Sequence, residues 1–204
     1  MTLPGSPAGD TRRRPRRHDP GRRTRILDAA LDVLVEHGLA GMTHRQVAAR
    51  ADVPLGSVTY HFAGLAELRA QAFARFVELQ DAAFESLFDG IGTRDEFVAV
   101  LVDLVHASPA RRRSAVLGFE LHLAALRNPE LRVLAEAWTR SSQAVLARFV
   151  GAEAAVDLDE LLEGMIMHAL LAAGPRSREA VRATIERAVE PAGRGGGHVR
   201  AHGL

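Results

Sequence analysis

Residues 43–62 read THRQVAARADVPLGSVTYHF, and this stretch decides the fold. Thr43 followed three residues on by Gln46 is a helix-start pattern, in which a side-chain oxygen takes up a free backbone N–H. Val47, Ala48 and Ala51 then recur on one helical face, and Asp52-Val53-Pro54 ends the run in a turn. Leu55 to His61 forms a second short helix, with Val58 and Phe62 on its inner side. Ser57, Thr59, Tyr60 and His61 are left to reach outward. Two short helices across a tight turn, the second rich in hydrogen-bonding groups, are how a helix-turn-helix lays one helix in the DNA major groove. Gly56 removes side-chain bulk and permits close approach to a phosphate or base edge. The free N–H groups after Thr43 suit a phosphate, with Arg45 and Gln46 beside them. The candidate DNA-contacting residues are Thr43, Arg45, Gln46, Pro54, Leu55, Gly56, Ser57, Thr59, Tyr60 and His61.

Outward from this unit the pattern stays helical. A first helix is expected from about Arg22 to His37, with Ile26, Ala30, Val33 and Leu34 inward and Gly38 as its stop. After Gly64 a long fourth helix is expected to about Asp89, with Glu67 in its first turn. The fifth starts after Thr93, with Glu96 completing a capping pattern, and the sixth spans Pro109 to Arg127. The seventh follows Asn128 and ends near Gly151. The eighth is read from Asp157, with Glu160 in the cap pattern, to Gly174, and the ninth from about Ser177 to Glu190. The expectation is an all-α chain of about nine helices without internal repeats. It divides into an arginine-rich disordered arm (1–20), a three-helix helix-turn-helix DNA-binding domain (21–67), a larger helical domain (68–190) whose effector-binding and dimerisation roles rest on the family resemblance described next, and a disordered Gly-rich tail (191–204).

The region from about residue 22 to 68 resembles the TetR family of transcriptional regulators. Thr43, Val47, Ala48, Ala51, Val53, Gly56, Ser57, Val58, His61 and Phe62 match its pattern in register, and Arg25-Ile26-Leu27-Asp28-Ala29-Ala30 with His37-Gly38 resembles its first helix. Three positions depart from that pattern. Asp52 replaces the usual turn glycine, Thr59 stands where a tyrosine is common, and Leu65 occupies a position that often holds a phosphate-contacting lysine. The resemblance implies a homodimer joined through the eighth and ninth helices, double-stranded operator DNA as partner, and a small-molecule effector bound in the C-terminal helices.

Composition narrows the alternatives. The 204 residues contain no cysteine, which excludes disulfides and thiolate chemistry, and no apolar run approaches the roughly 18 residues of a membrane span. A cytoplasmic protein without cofactor is expected. Residues 1–64 carry ten Arg against six acids, a net of +4; the remaining 140 carry 16 Arg against 19 acids, a net of −3. Eight of the arginines lie between Thr11 and Arg25. A basic arm of this kind binds phosphates or the minor groove, or stays a solvated tail, and the sequence leaves both open. If it binds, it offsets the missing lysine at Leu65.

The effector candidates are Phe73, Phe76, His106, Phe119, Glu120, His122, Trp138, Met165 and His168. Phe73, Phe76, Phe84 and Phe88 recur at roughly helical spacing, a stripe that serves a core more often than a pocket. Ala115 to Leu126 is almost wholly apolar yet holds Glu120 and His122, so each needs a partner or a wet cavity. A pocket of Phe, Leu, Met and Trp suits an apolar or aromatic molecule. The histidines lack close ligand spacing, and no metal is expected. No nucleophile elbow, phosphate loop or supported carboxylate pair argues for an enzyme. The leading reading is a repressor released by such a ligand; a regulator without an effector, and an activator, remain alternatives.

Overall fold

The computed structural model describes residues 19–106, 109–174 and 176–190. Those residues form nine helices and no strand: α1 (Arg22–Gly41), α2 (His44–Arg50), α3 (Leu55–His61), α4 (Leu65–Ser86), α5 (Arg94–Val105), α6 (Pro109–Ala125), α7 (Pro129–Val150), α8 (Ala152–Leu171) and α9 (Arg178–Val189). The expected arm and tail fall on residues 1–18 and 191–204, outside the described residues.

Most starts have a local cause in the sequence. The Thr93 hydroxyl accepts from Glu96 N–H while the Glu96 carboxylate accepts from the backbone N–H groups of Gly92 and Thr93 at 3.0 and 2.9 Å. Those N–H groups hold the Glu96 carboxyl below its usual range. Asn128 accepts from Glu130 N–H at 2.9 Å, with Pro129 at the first helical position. Ser177 accepts from Ala180 N–H at 3.2 Å. At the end of α1, Gly38 has φ +65°, a conformation that side chains resist, so the regular helix stops there and only a kinked turn continues to Gly41.

Three expectations need correction. α8 begins at Ala152, five residues before Asp157, because Gly151 (φ +85°) ends α7 and opens α8 without a side-chain cap. Asp157 and Glu160 therefore lie inside α8. α4 ends at Ser86, which puts Phe88 beyond it, and α6 ends at Ala125 rather than Arg127.

Two cores hold these helices. The first joins α1–α4 to Leu117, Leu121, Ala124 and Ala125 of α6 and to Leu131 and Ala135 of α7. The second joins α5, α8, α9 and the end of α7 around Phe88, Phe97 and Phe149, whose rings lie 4.5–5.8 Å apart. The N-terminal helices thus share their core with α6 and α7, and α4 runs through the expected boundary at 67/68.

Candidate functional site

Thr43, in extended backbone, starts α2 by accepting from Gln46 N–H at 3.3 Å. Its hydroxyl donates to the Gln46 side-chain oxygen at 2.6 Å, so Gln46 is held by the hydroxyl rather than reaching the Thr43 backbone as a reciprocal box would. Arg45 projects into solvent. Asp52 takes φ +51°, the left-handed turn conformation that Asp tolerates better than most residues. The Pro54 carbonyl then accepts from Ser57 N–H at 2.8 Å to open α3. Val58 and Phe62 are buried beneath α3. On its outer side Tyr60 is 84% exposed, and Pro54, Leu55, Gly56 and Thr59 are also at the surface, with Ser57 and His61 half-buried. Apart from its chain neighbours and the backbone of its own helix, nothing lies within 4 Å of where a Gly56 Cβ would stand, so the bare backbone there faces open space.

The helices beneath brace this surface by contacts across α1 and α4. The Arg69 guanidinium donates to the carbonyl of Leu39, 2.5 Å away, at the turn before α2. Leu65 is half-buried against the first core and serves packing where a basic contact was wanted. Of the eight arginines from Thr11 to Arg25, Arg23 bonds Gln71 and lies over the Phe62 ring, Arg25 pairs with Asp19 at 2.7 Å, and Arg22 stands in the first turn of α1. The other five lie outside the described residues.

A cavity of about 180 Å³ sits between the two cores. Phe84 of α4, Leu104 of α5, Phe119 and His122 of α6, Trp138 of α7 and Asp159 of α8 are among the residues that line it. Trp138 stands edge-on to Phe76 at 5.4 Å and packs so closely on Gly118 that a Cβ there would come within 2.8 Å of the indole. His122 lies 3.7 Å from Glu163. Burial pushes the His122 ring down and the Glu163 carboxyl up, and it drives Asp159 up to about 6. A second, wider hollow of about 690 Å³ opens beside α5, α8 and the start of α9.

Comparison with known proteins settles the family. Residues 26–72 match the model described as bacterial regulatory proteins, tetR family, and residues 92–191 match the tetracyclin repressor-like C-terminal domain. The transcriptional regulator SCO7518 of Streptomyces coelicolor A3(2) is 40% identical, with 84% of this chain and 100% of that one covered at a TM-score of 0.75. The chain belongs to the TetR family of transcriptional regulators. The multidrug binding protein EbrR, in its imidazole complex, is 39% identical over 86% of this chain and 99% of its own, with a TM-score of 0.67. The HTH-type regulator SrpR of Pseudomonas putida is 32% identical over 104 residues, 48% of this chain; the match spans only 46% of SrpR.

Within this TetR-family frame the expected effector residues separate into four places. Phe119, His122 and Trp138 line the smaller cavity. His106, Met165 and His168 line the wider hollow instead, with His106 Nε2 2.9 Å from the Arg176 carbonyl. Phe73 and Phe76 are core residues at 0% and 2% exposure and line neither space. Glu120 turns away from both to accept Leu39 N–H at 3.3 Å at the end of α1. Asp159, Glu163 and Ser142 were missed. Their spacing carries no motif; only the packing of α8 on α7 brings them together. Among the described residues no helix is long and apolar enough to cross a membrane, and no cluster of three His, Asp or Glu is placed to hold a metal.

Proposed function

We propose that the chain is a dimeric repressor that leaves its operator when a small aromatic molecule fills the cavity between the cores. The observation that carries this reading is the double use of α6. One face, with Gly118, Phe119 and His122, walls the cavity. The opposite face buries Leu117 and Leu121 against the DNA-binding helices. Arg113 of the same helix pairs with Asp32 of α1, and Asp32 faces Arg50 of α2 at 3.6 Å. A ligand that shifts α6 therefore acts on α1 and α2 through direct contacts. A 100-fold loss of operator affinity needs about 2.7 kcal/mol of differential binding, within the range of ordinary coupling.

The relatives support an aromatic ligand: EbrR has been crystallised with imidazole, proflavin, ethidium and malachite green. α8 supports the dimer by leaving Leu171 75% exposed beside half-buried Met167 and Leu170, an apolar face for a second copy. Thermal-shift screening of small aromatic molecules, followed by gel shifts of the operator complex with each stabilising compound, tests the reading. Compounds that raise Tm are expected to free the DNA. Stabilisation without release at any concentration contradicts it.

A further inference from the structure

Resting on that reading of the cavity, we propose that its acidic end selects an organic cation, with Asp159 as counter-charge and binding coupled to loss of the Asp159 proton to solvent. α8 brings Asp159 and Glu163, one turn apart, onto the wall facing Trp138 and His122. Asp159 is 92% buried (8% exposed), and its hydrogen-bond partners are neutral: the Ser142 hydroxyl at 3.0 Å and the Gln143 amide at 3.3 Å.

The Ser142 hydroxyl lies 3.0 Å from both the Asp159 carboxyl and the Thr139 carbonyl. It has one proton and cannot donate to both. The conflict disappears when Asp159 is a carboxylic acid: Asp159 donates to Ser142, and Ser142 donates to Thr139. Burial favours that form, raising Asp159 to about 6. A cation in the cavity favours the carboxylate. Below about pH 6, where the ligand-free carboxyl is still protonated, the proton then passes to solvent; the Ser142 hydroxyl turns to Asp159, and the Thr139 carbonyl keeps its place in the α7 ladder. No bond to the ligand forms or breaks.

The other charged groups on the cavity wall fit this role. Glu163 opposes Asp159 ionisation, and His122 favours it only to the extent that its ring is protonated. Burial holds the His122 ring toward its neutral form, which weakens it as a counter-charge for Asp159. Arg111, near the start of α6, also lines the cavity, but it is not among the groups that shift Asp159. Trp138, Phe84 and Phe119 give the aromatic faces a cation prefers. The space, about 180 Å³, is near the roughly 150 Å³ that accepts benzene and below the roughly 300–1,000 Å³ of drug-sized sites. One ring with a compact charged head is the class it takes.

Phenyltrimethylammonium and tert-butylbenzene share one shape and differ in charge. Titration calorimetry of the full chain with each, at pH 7.5 and 5.5 in buffers of different ionisation heat, measures both affinity and proton release. The cation is expected to bind at least about tenfold tighter than the hydrocarbon at pH 7.5. Its affinity is expected to fall about fourfold at pH 5.5, with proton release, while the hydrocarbon is unaffected. Asp159→Asn is expected to bind the two alike. Equal affinity in the wild type at pH 7.5, or cation binding at pH 5.5 without proton release, overturns the proposal even if the variant does not fold. Binding of the hydrocarbon alone overturns charge selection and leaves the effector site standing. Binding of neither overturns both.

Discussion

At the scale of single residues, Tyr60 and Asp159 carry opposite kinds of information. Tyr60 packs only edge-on to His61, at 5.2 Å, and is otherwise in solvent, so the fold has little use for it. Tyr60→Ala is expected to lower operator affinity about tenfold or more while leaving Tm within a degree or two. Fluorescence anisotropy against operator and random DNA, with a thermal melt, checks both halves. Asp159 instead burdens the fold. Its carboxyl rises from 3.8 to about 6 on burial, so folding takes up a proton between those values. The destabilisation is absent below about pH 4, grows as pH rises and is complete above about pH 6–7, reaching roughly 3 kcal/mol. Asp159→Asn is therefore expected to stabilise the ligand-free chain by about 1–3 kcal/mol at pH 7.5 and by almost nothing at pH 4, read from urea unfolding. A variant weaker than wild type at pH 7.5 contradicts this account. Neither residue was equally legible in advance. Tyr60 sits in a local pattern whose face can be counted, whereas Asp159 looks like any acid on a helix until Ser142 and Trp138 close over it.

At the scale of elements, helix starts were readable where a side chain makes them, as at Thr43, Thr93, Asn128 and Ser177. The start of α8 was not, because Gly151 acts through its backbone alone and a plausible Asp157–Glu160 pattern lay inside the helix. Glu120 shows the same limit across distance. Its partner is 81 residues away, at the turn after Gly38, so the sequence could not decide between a partner and a cavity for this charge in an apolar helix. That contact ties α6 to the end of α1. Glu120→Ala is expected to keep operator binding within about threefold, yet reduce the loss of affinity caused by phenyltrimethylammonium at least fivefold. Operator Kd values with and without that compound give the ratio; an unchanged ratio excludes Glu120 from the coupling. The arm belongs to this scale as well. Arg23 and Arg25 have partners within the fold, and the arm's other arginines, apart from Arg22 in the first turn of α1, are Arg12, Arg13, Arg14, Arg16 and Arg17, outside the described residues. Deleting residues 1–18 is expected to flatten the log–log salt dependence of operator binding by several units, at about 0.9 for each lost phosphate contact. An unaltered slope leaves the arm without a role in DNA binding.

At the scale of the whole molecule, the shared core matters more than any one contact. Leu117 and Leu121 lie in the same cluster as Val58 and Phe62, so α3 and the cavity wall cannot move independently without opening buried apolar surface. The helix-turn-helix was legible from 20 residues, and the all-helical architecture from caps and helical periodicity along the rest of the chain. The joining of the two cores through α6 and α7 was not, since amphipathic faces announce burial without naming what covers them. The central claim is a two-fold dimer that reads DNA with α3 and releases it on ligand binding. A nuclease footprint on DNA flanking its own gene, at moderate salt and with and without phenyltrimethylammonium, tests it most directly. The account predicts protection of two related half-sites about one or two helical turns apart, lost when the compound is added. Binding no tighter than to random DNA, or protection that the compound leaves intact at saturation, contradicts it.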